Sequence, residues 1–275
     1  MHLKLGSLAA FATAFALLGM MSGMACADQL DDIHKAGVLR VATFDSNPPF
    51  GLIDQKTHGI VGYDVDFAQA IARGLGVKLQ LVATNPANRI PLIQSGKADL
   101  IVADITITPE RAQVIDFSTP YFVTGQRVLV PTDSPDRLDA YATARIGAVK
   151  GTTGEQQLKE RFPKAHVLSY DDVPLALAAL RAGSVQAITQ DAEILAGLKA
   201  SAPDAAKYKI LSEALSREEI GVGVKKGEQR LLGEVNAILV GLEKDGRAAG
   251  FFAQWFGPGS KAPEERSFQI VPPKN

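Results

Sequence analysis

Short apolar runs alternate along this chain with stretches whose apolar residues return every three or four positions. Residues 38–43 (VLRVAT) read as a strand ended by Asp45-Ser46-Asn47-Pro48-Pro49. Asp64 then stands where a helix N-cap is expected. Val65, Ala68, Ile71, Ala72 and Leu75 follow at helical spacing, and Gly74 and Gly76 close the run. Residues 77–82 alternate as a strand, 89–94 form a short helix, and 99–106 are the next strand. This strand–helix order predicts a parallel sheet with right-handed crossovers.

A second set follows. Residues 126–131, 145–149, 166–170 and 185–189 read as strands. Helices are expected at 155–162, 173–182 and from Asp191 to about Lys199. The last elements are a strand at 219–224, a helix at 231–245 with Leu231, Val235, Ile238, Leu239 and Leu242 on one face, and an aromatic helix at 248–256. From Gly257 the chain is rich in Pro and charge and is expected to be loose. Two α/β sets predict two lobes. Ligands of open parallel sheets bind beyond the carboxyl ends of strands, so the two sets can line one cleft.

The first 27 residues depart from this pattern. Lys4 is their one Lys, Arg, Asp or Glu, residues 8–21 are apolar or small, and Ala25-Cys26-Ala27 fits a cleavage site before Asp28. That combination predicts a secretory leader, since the apolar run is shorter than a bilayer span. Cys26 offers a lipoprotein alternative, but Gly23-Met24-Ala25 lacks the branched or leucyl residue usual before such a site. Cleavage after Ala27 removes the one cysteine. The net charge of −1 gives no reason to expect a nucleic-acid or polybasic membrane partner.

The candidate chemistry lies where strands end. Residues 99–106 carry Asp104 and Thr106, and Thr108-Pro109-Glu110-Arg111 opens a helix. Thr108 as N-cap, Pro109 at the first position and Glu110 in the first turn are structural. Arg111 gains nothing from the start of a helix dipole. It is either one half of an ion pair with Asp104 or Asp116, or a bidentate partner for a carboxylate that arrives. Gly151-Thr152-Thr153-Gly154 turns into a helix. Thr152 with Glu155 and Thr153 with Gln156 each fit a capping box, while the same free N–H groups can meet an anion. Asp191 can cap a helix or accept an ammonium. A free α-amino acid carries both groups that such a site would bind.

The chain resembles the periplasmic solute-binding proteins of polar amino acid ABC transporters, the family 3 extracellular solute-binding proteins, over roughly residues 37–257. The motifs are Gly62-Tyr63-Asp64-Val65-Asp66, Gly96-Lys97-Ala98-Asp99-Leu100, Thr106-Ile107-Thr108-Pro109-Glu110-Arg111 and Asp116-Phe117-Ser118. Tyr121 and Trp255-Phe256-Gly257 also fit. The resemblance implies a two-lobed α/β periplasmic binding protein fold, type II-like, joined by two hinge strands near 121–125 and 215–219. The leader would be 1–27, the first lobe 28–122 and 218–257, the second 123–217, and the tail 258–275.

It implies roles too. Arg111 would clamp the ligand α-carboxylate with Thr106 and the backbone at Thr152 and Thr153. Asp191 would take the α-ammonium near the backbone of Ala103 and Asp104. Asn88-Arg89-Ile90-Pro91-Leu92 is similar to the acidic-amino-acid branch, in which the Arg holds a side-chain carboxylate; otherwise Arg89 is a surface helix charge. Two positions depart from the family. Asn47 stands where an aromatic is usual, with Phe44 three residues earlier, and Asp104 replaces a small or hydroxyl residue.

The expected function is capture of a polar amino acid, aspartate, glutamate or their amides, by a monomer that delivers it to a membrane permease by hinge closure. Basic amino acids are an alternative ligand class. No metal or cofactor is expected. An enzyme is not expected either: the chain has no Gly-x-Ser-x-Gly or His-Glu-x-x-His, and Gly221-Val222-Gly223 lacks the third glycine of a dinucleotide loop. A dehydratase acting on small carboxylates on this fold is the alternative, with Asp104 as its one candidate acid.

Overall fold

The computed structural model describes residues 28–273; the expected leader, with Cys26, lies outside the described residues. In chain order the elements are α1 (Gln29–Ala36), β1 (Val38–Thr43), β2 (Ser46–Asn47), β3 (Gly51–Ile53), β4 (Ile60–Val61), α2 (Tyr63–Gly74), β5 (Lys78–Ala83), α3 (Arg89–Gln94), β6 (Leu100–Thr106), α4 (Pro109–Ala112), β7 (Ile115–Phe117) and β8 (Phe122–Thr124). There follow β9 (Gln126–Pro131), β10 (Arg145–Val149), α5 (Thr153–Arg161), β11 (His166–Tyr170), α6 (Val173–Arg181), β12 (Ala187–Asp191), α7 (Ala192–Ser201) and β13 (Tyr208–Ile210). The chain then runs through β14 (Glu218–Lys225), α8 (Gln229–Lys244) and α9 (Arg247–Phe256).

Two sheets carry the two lobes. The first has the order β5-β1-β6-β14-β7, with β8 also paired to β14. Its β1, β5 and β6 are parallel, as expected of strands linked by α2 and α3. The second has the order β11-β10-β12-β9-β13, with β10 parallel to both β11 and β12. Every residue of β6 is buried, as a central strand covered on both faces requires. The strands that leave and re-enter the lobes, β9 and β14, are antiparallel to their neighbours.

Between β8 and β9 the chain passes from the first sheet to the second at Gly125. A Cβ there would overlap the carbonyl oxygen of Ser216 on the returning segment. The two crossings therefore run against each other, and only glycine permits that approach. The Gln126 carbonyl accepts from Leu215 N at 2.7 Å, which ties the crossings together on the second-lobe side.

The motif residues are explained by packing. The α2 helix begins after Gly62, whose φ is 149° and whose Cβ would overlap the Phe50 carbonyl. Asp64 is thus not the N-cap that the sequence suggested. It sits inside the first turn, fully buried, with its carboxylate turned to the strand ends. Asp66 accepts from Trp255 Nε1 at 2.6 Å, which joins two motifs that are far apart in sequence. Asp99 holds Arg40 through Nε and Nη2 and also accepts from the Arg40 backbone.

The tail beyond Gly257 is packed rather than loose. Phe268 meets Phe122 and Phe252 edge-on, with ring centroids 5.3 and 5.9 Å apart. Ala262 and Ile270 are buried, and Arg266 forks onto both carboxylate oxygens of Glu243. A few apolar anchors outweigh the Pro and charge content of the segment, because they complete a cluster that already holds Phe50, Tyr63, Phe67, Phe251 and Phe256.

Candidate functional site between the lobes

Strand β6 ends against β12 and the start of α5 across a cavity of ≈ 10 Å³. Phe44, Pro86, Arg89, Asp104, Thr106 and Arg111 come from the first lobe, and Thr152, Thr153, Gln190 and Asp191 from the second. Phe44, Arg89, Asp104, Thr106, Arg111, Thr152, Thr153 and Asp191 are residues the sequence marked as ligand contacts. Asn47 is buried on β2 and does not line this cavity. Ala103, also marked, does not line the cavity; its carbonyl accepts from Arg89. So small a volume has room for about one water, and nothing the size of an amino acid fits unless the lobes part.

Arg111 bridges the two lobes. It donates to Thr106 O at 2.9 Å through Nη1 and to Gly151 O at 3.0 Å through Nη2. Two of the five guanidinium N–H groups are used, which leaves a fork for a carboxylate. Burial lowers its pKa, and Glu218, Asp191 and Asp104 oppose that fall. Asp116, the other ion-pair candidate, is held by Lys226 at 2.8 Å. Thr108 is the expected N-cap, accepting from Arg111 N at 3.2 Å.

Arg89 is neither a surface charge nor an open reader of a ligand. It is 3% exposed and lies over the Phe44 ring, 5.3 Å from its centroid. Its Nε donates to Pro86 O at 3.1 Å, and its Nη1 to Ala103 O and Asp104 O at 2.9 and 2.8 Å. Its Nη2 reaches Gly151 O at 3.4 Å. Four of the five N–H groups are taken by backbone carbonyls. Those bonds also occupy the Ala103 and Asp104 carbonyls expected near a ligand ammonium. Burial, then the charge of Arg111, pulls the Arg89 pKa down to about 9.

Arg89 holds the backbone where Asp104 adopts φ 44°, left-handed and uncommon for a residue with a side chain. The Asp104 N–H donates to Asp64 Oδ2 at 2.8 Å, and Tyr121 Oη donates to Asp64 Oδ1 at 2.7 Å. Burial pushes the Asp64 carboxyl up to about 7 against these two bonds. Asp104 Oδ1 is buried with no hydrogen-bond partner. Burial and the facing Asp191 push the Asp104 carboxyl well above its ordinary range. Burial, then Glu218 and Glu193, raises Asp191 to about 8, and hydrogen bonds from Gln126 and Asp104 oppose that rise.

The Thr152–Thr153 turn resolves into one cap. Thr152 Oγ1 accepts from Glu155 N at 3.2 Å, and its own N–H already donates to Val149 O. Thr153 opens α5 and donates to Glu218 Oε2 at 2.7 Å. Thr106 donates to the same oxygen at 2.7 Å from the other lobe. Ser216 donates to Oε1. Glu218 therefore gathers both lobes and the return crossing, and the sequence reading missed it. Gln126 was missed as well: its Nε2 donates to Thr153 Oγ1 and to Asp191 Oδ1. Asp191 precedes α7 but makes no capping hydrogen bond, so its carboxylate is turned to the cavity.

This chain belongs to the bacterial extracellular solute-binding proteins, family 3, whose profile matches residues 39–258. It is 36% identical over 211 residues to the ABC transporter glutamine-binding protein GlnH of Bacillus subtilis, covering 75% of this chain and 76% of that one. It is 32% identical over 250 residues to the L-cystine-binding protein TcyJ of Escherichia coli, covering 89% and 92%. Among solved structures it is similar to the ancestral amino acid-binding protein AncCDT-1, a precursor of cyclohexadienyl dehydratase. There the TM-score is 0.76 and the identity 33%, covering 84% of this chain and all of that one.

Proposed function

We propose that the protein captures one free polar α-amino acid in the periplasm, by closing its lobes, and delivers it to an ABC transporter permease. The observation that carries this reading is the convergence of Arg111 from one lobe and Asp191 from the other on a single cavity. A zwitterion supplies a carboxylate to the first and an ammonium to the second, and charge-assisted hydrogen bonds to both lobes stabilise closure. Thr106 and Thr153, held by Glu218, shape the carboxylate end. Phe44 packs against the ligand side chain.

An amide side chain suits the site better than an acidic one. The guanidinium of Arg89 is bonded to carbonyls, and three carboxyl groups, Asp104, Asp191 and Glu218, already face the two arginines. A further negative charge would be desolvated without a partner. The likeness to a glutamine-binding relative points the same way. A basic amino acid is the second reading, favoured by the orphaned Oδ1 of Asp104.

A thermal-shift screen of residues 28–275 against the twenty amino acids and a set of keto, hydroxy and dicarboxylic acids tests this. A ligand that binds the folded state raises the melting temperature by mass action. The largest shift is expected with glutamine or asparagine. Shifts confined to lysine and arginine would select the second reading. Shifts confined to keto or hydroxy acids would overturn amino acid capture and call for product analysis of a dehydratase reaction.

A further inference from the structure

Asp104 and Asp191 bring two carboxyl groups together from opposite lobes. Both are 5% exposed. Gln126 orients Asp191, whereas Asp104 Oδ1 has no partner. The charged and titratable groups that face the pair are Asp64 on α2, Arg89 on α3, Arg111 on α4, Tyr121 before β8, Glu193 on α7 and Glu218 on β14. The two arginines spend N–H groups on backbone carbonyls. Neither donates a hydrogen bond to the Asp104 carboxylate among the described residues. Two carboxylates in contact and out of water do not both ionise unless a cation stands between them.

Resting on the amino acid reading of this site, we propose that Asp104 is a specificity-determining residue that reads ligand charge through one proton. The ligand ammonium takes Asp191. A neutral side chain then leaves Asp104 protonated, and its hydroxyl serves as a hydrogen-bond donor to an amide oxygen. A cationic side chain drives the proton into solvent and pairs with the Asp104 carboxylate. One site thereby accepts neutral and cationic amino acids, and pH sets the ratio. The Asp104 carboxyl, raised by burial and by the facing Asp191, is shifted in the direction this requires.

The linkage gives a numerical expectation. Binding a cationic ligand releases one proton that a neutral ligand does not, so its relative affinity grows by up to about tenfold for each pH unit. Calorimetry with L-glutamine and L-arginine at about pH 6, 7 and 8 reads that ratio directly. Asp104→Asn is the matched variant, because Asn tolerates the left-handed backbone at this position. It should make the arginine-to-glutamine ratio independent of pH, whatever it does to the affinity for either ligand. Infrared difference spectra of the two complexes provide the second readout. The glutamine-minus-arginine difference should carry the C=O stretch of one protonated carboxyl, and Asp104→Asn should abolish that difference band.

A wild-type ratio that stays flat with pH overturns the proposal. So does a difference band that persists in Asp104→Asn. If neither amino acid binds while another of the twenty does, the charge reader falls and amino acid capture stands. If none of the twenty binds, amino acid capture falls and takes the charge reader with it.

Discussion

Replacing Arg111 with Ala removes the one guanidinium at this cavity with most of its N–H groups uncommitted. In the structure it spends two, on Thr106 O and Gly151 O, and offers the other three to the cavity. A ligand carboxylate accepts two. Hydrogen bonds to a charged group contribute about 1.5–3 kcal/mol each, so the pair is worth roughly 3–6 kcal/mol. That corresponds to a loss of affinity between about a hundredfold and ten-thousandfold. The fold should survive, because the carbonyls left behind lie at the mouth of a cleft that water reaches when the lobes part. Calorimetric titration with the best ligand from the amino acid screen measures the first quantity, and urea unfolding the second. Affinity within fivefold of wild type, with unfolding unchanged, would refute Arg111 as the carboxylate partner. Lost affinity accompanied by a large loss of stability would show that the guanidinium works as a lobe bridge instead.

Arg89→Ala should behave differently. It leaves the carbonyls of Pro86, Ala103 and Asp104 buried and unpaired, which costs about 3 kcal/mol or more of stability in urea melts. Glutamate and glutamine should weaken by the same factor; a loss selective for glutamate would return Arg89 to the role of side-chain reader. Glu193, buried beside Thr124 Oγ1 at 2.5 Å, has its carboxyl raised to about 7 by burial. A raised carboxyl pKa means that wild-type stability falls as pH climbs from about 4.5 to about 7. Glu193→Gln should therefore match wild type near pH 4 and exceed it by about 3 kcal/mol near pH 8. Parallel stability curves across that range would show that the carboxyl titrates normally. Deleting residues 258–275 strips Phe268 and Ile270 from the aromatic cluster. That costs about 3 kcal/mol and roughly 6–12 °C of melting temperature. An unchanged melting temperature would mean that the tail packs without stabilising.

Much of the architecture was legible because periodicity and burial agree. The short apolar run at the start of β6 was read as a strand and all seven of its residues prove buried, and the α2 and α8 apolar faces repeat at helical spacing. Element bounds moved by a residue or two, as at β12, where the strand runs on to Asp191 and delivers its carboxylate to the cavity. The tail was misread for a definite reason. Composition reports how much apolar surface a segment carries on average. Its fate depended on whether Phe268 and Ile270 meet a cluster built from distant residues, and such encounters are set only in three dimensions.

The two arginines show where sequence reasoning about a site stops. Arg89 and Arg111 each stand near a helix start, and each is a sensible partner for a carboxylate. What separates them is which backbone they face. The turn at Asp104, bent left-handed, points two carbonyls at Arg89, Pro86 O supplies a third, and together they consume it. Arg111 meets only two carbonyls, one from each lobe, and keeps its fork. The same logic that flagged Asp104, a carboxylate in an apolar strand, applies to Glu218 at the start of β14. There the partner is internal: Thr106, Thr153 and Ser216 satisfy it. Asp104 differs because one of its oxygens finds nothing among the described residues. A buried polar atom that its own protein satisfies is architecture, and one left over is a request for a ligand or a proton. By that criterion Asp104 is the residue on which binding experiments should bear, beside Arg111 with its uncommitted fork and Asp191 facing it across the cavity, and Arg89 and Glu218 are the frame that holds them.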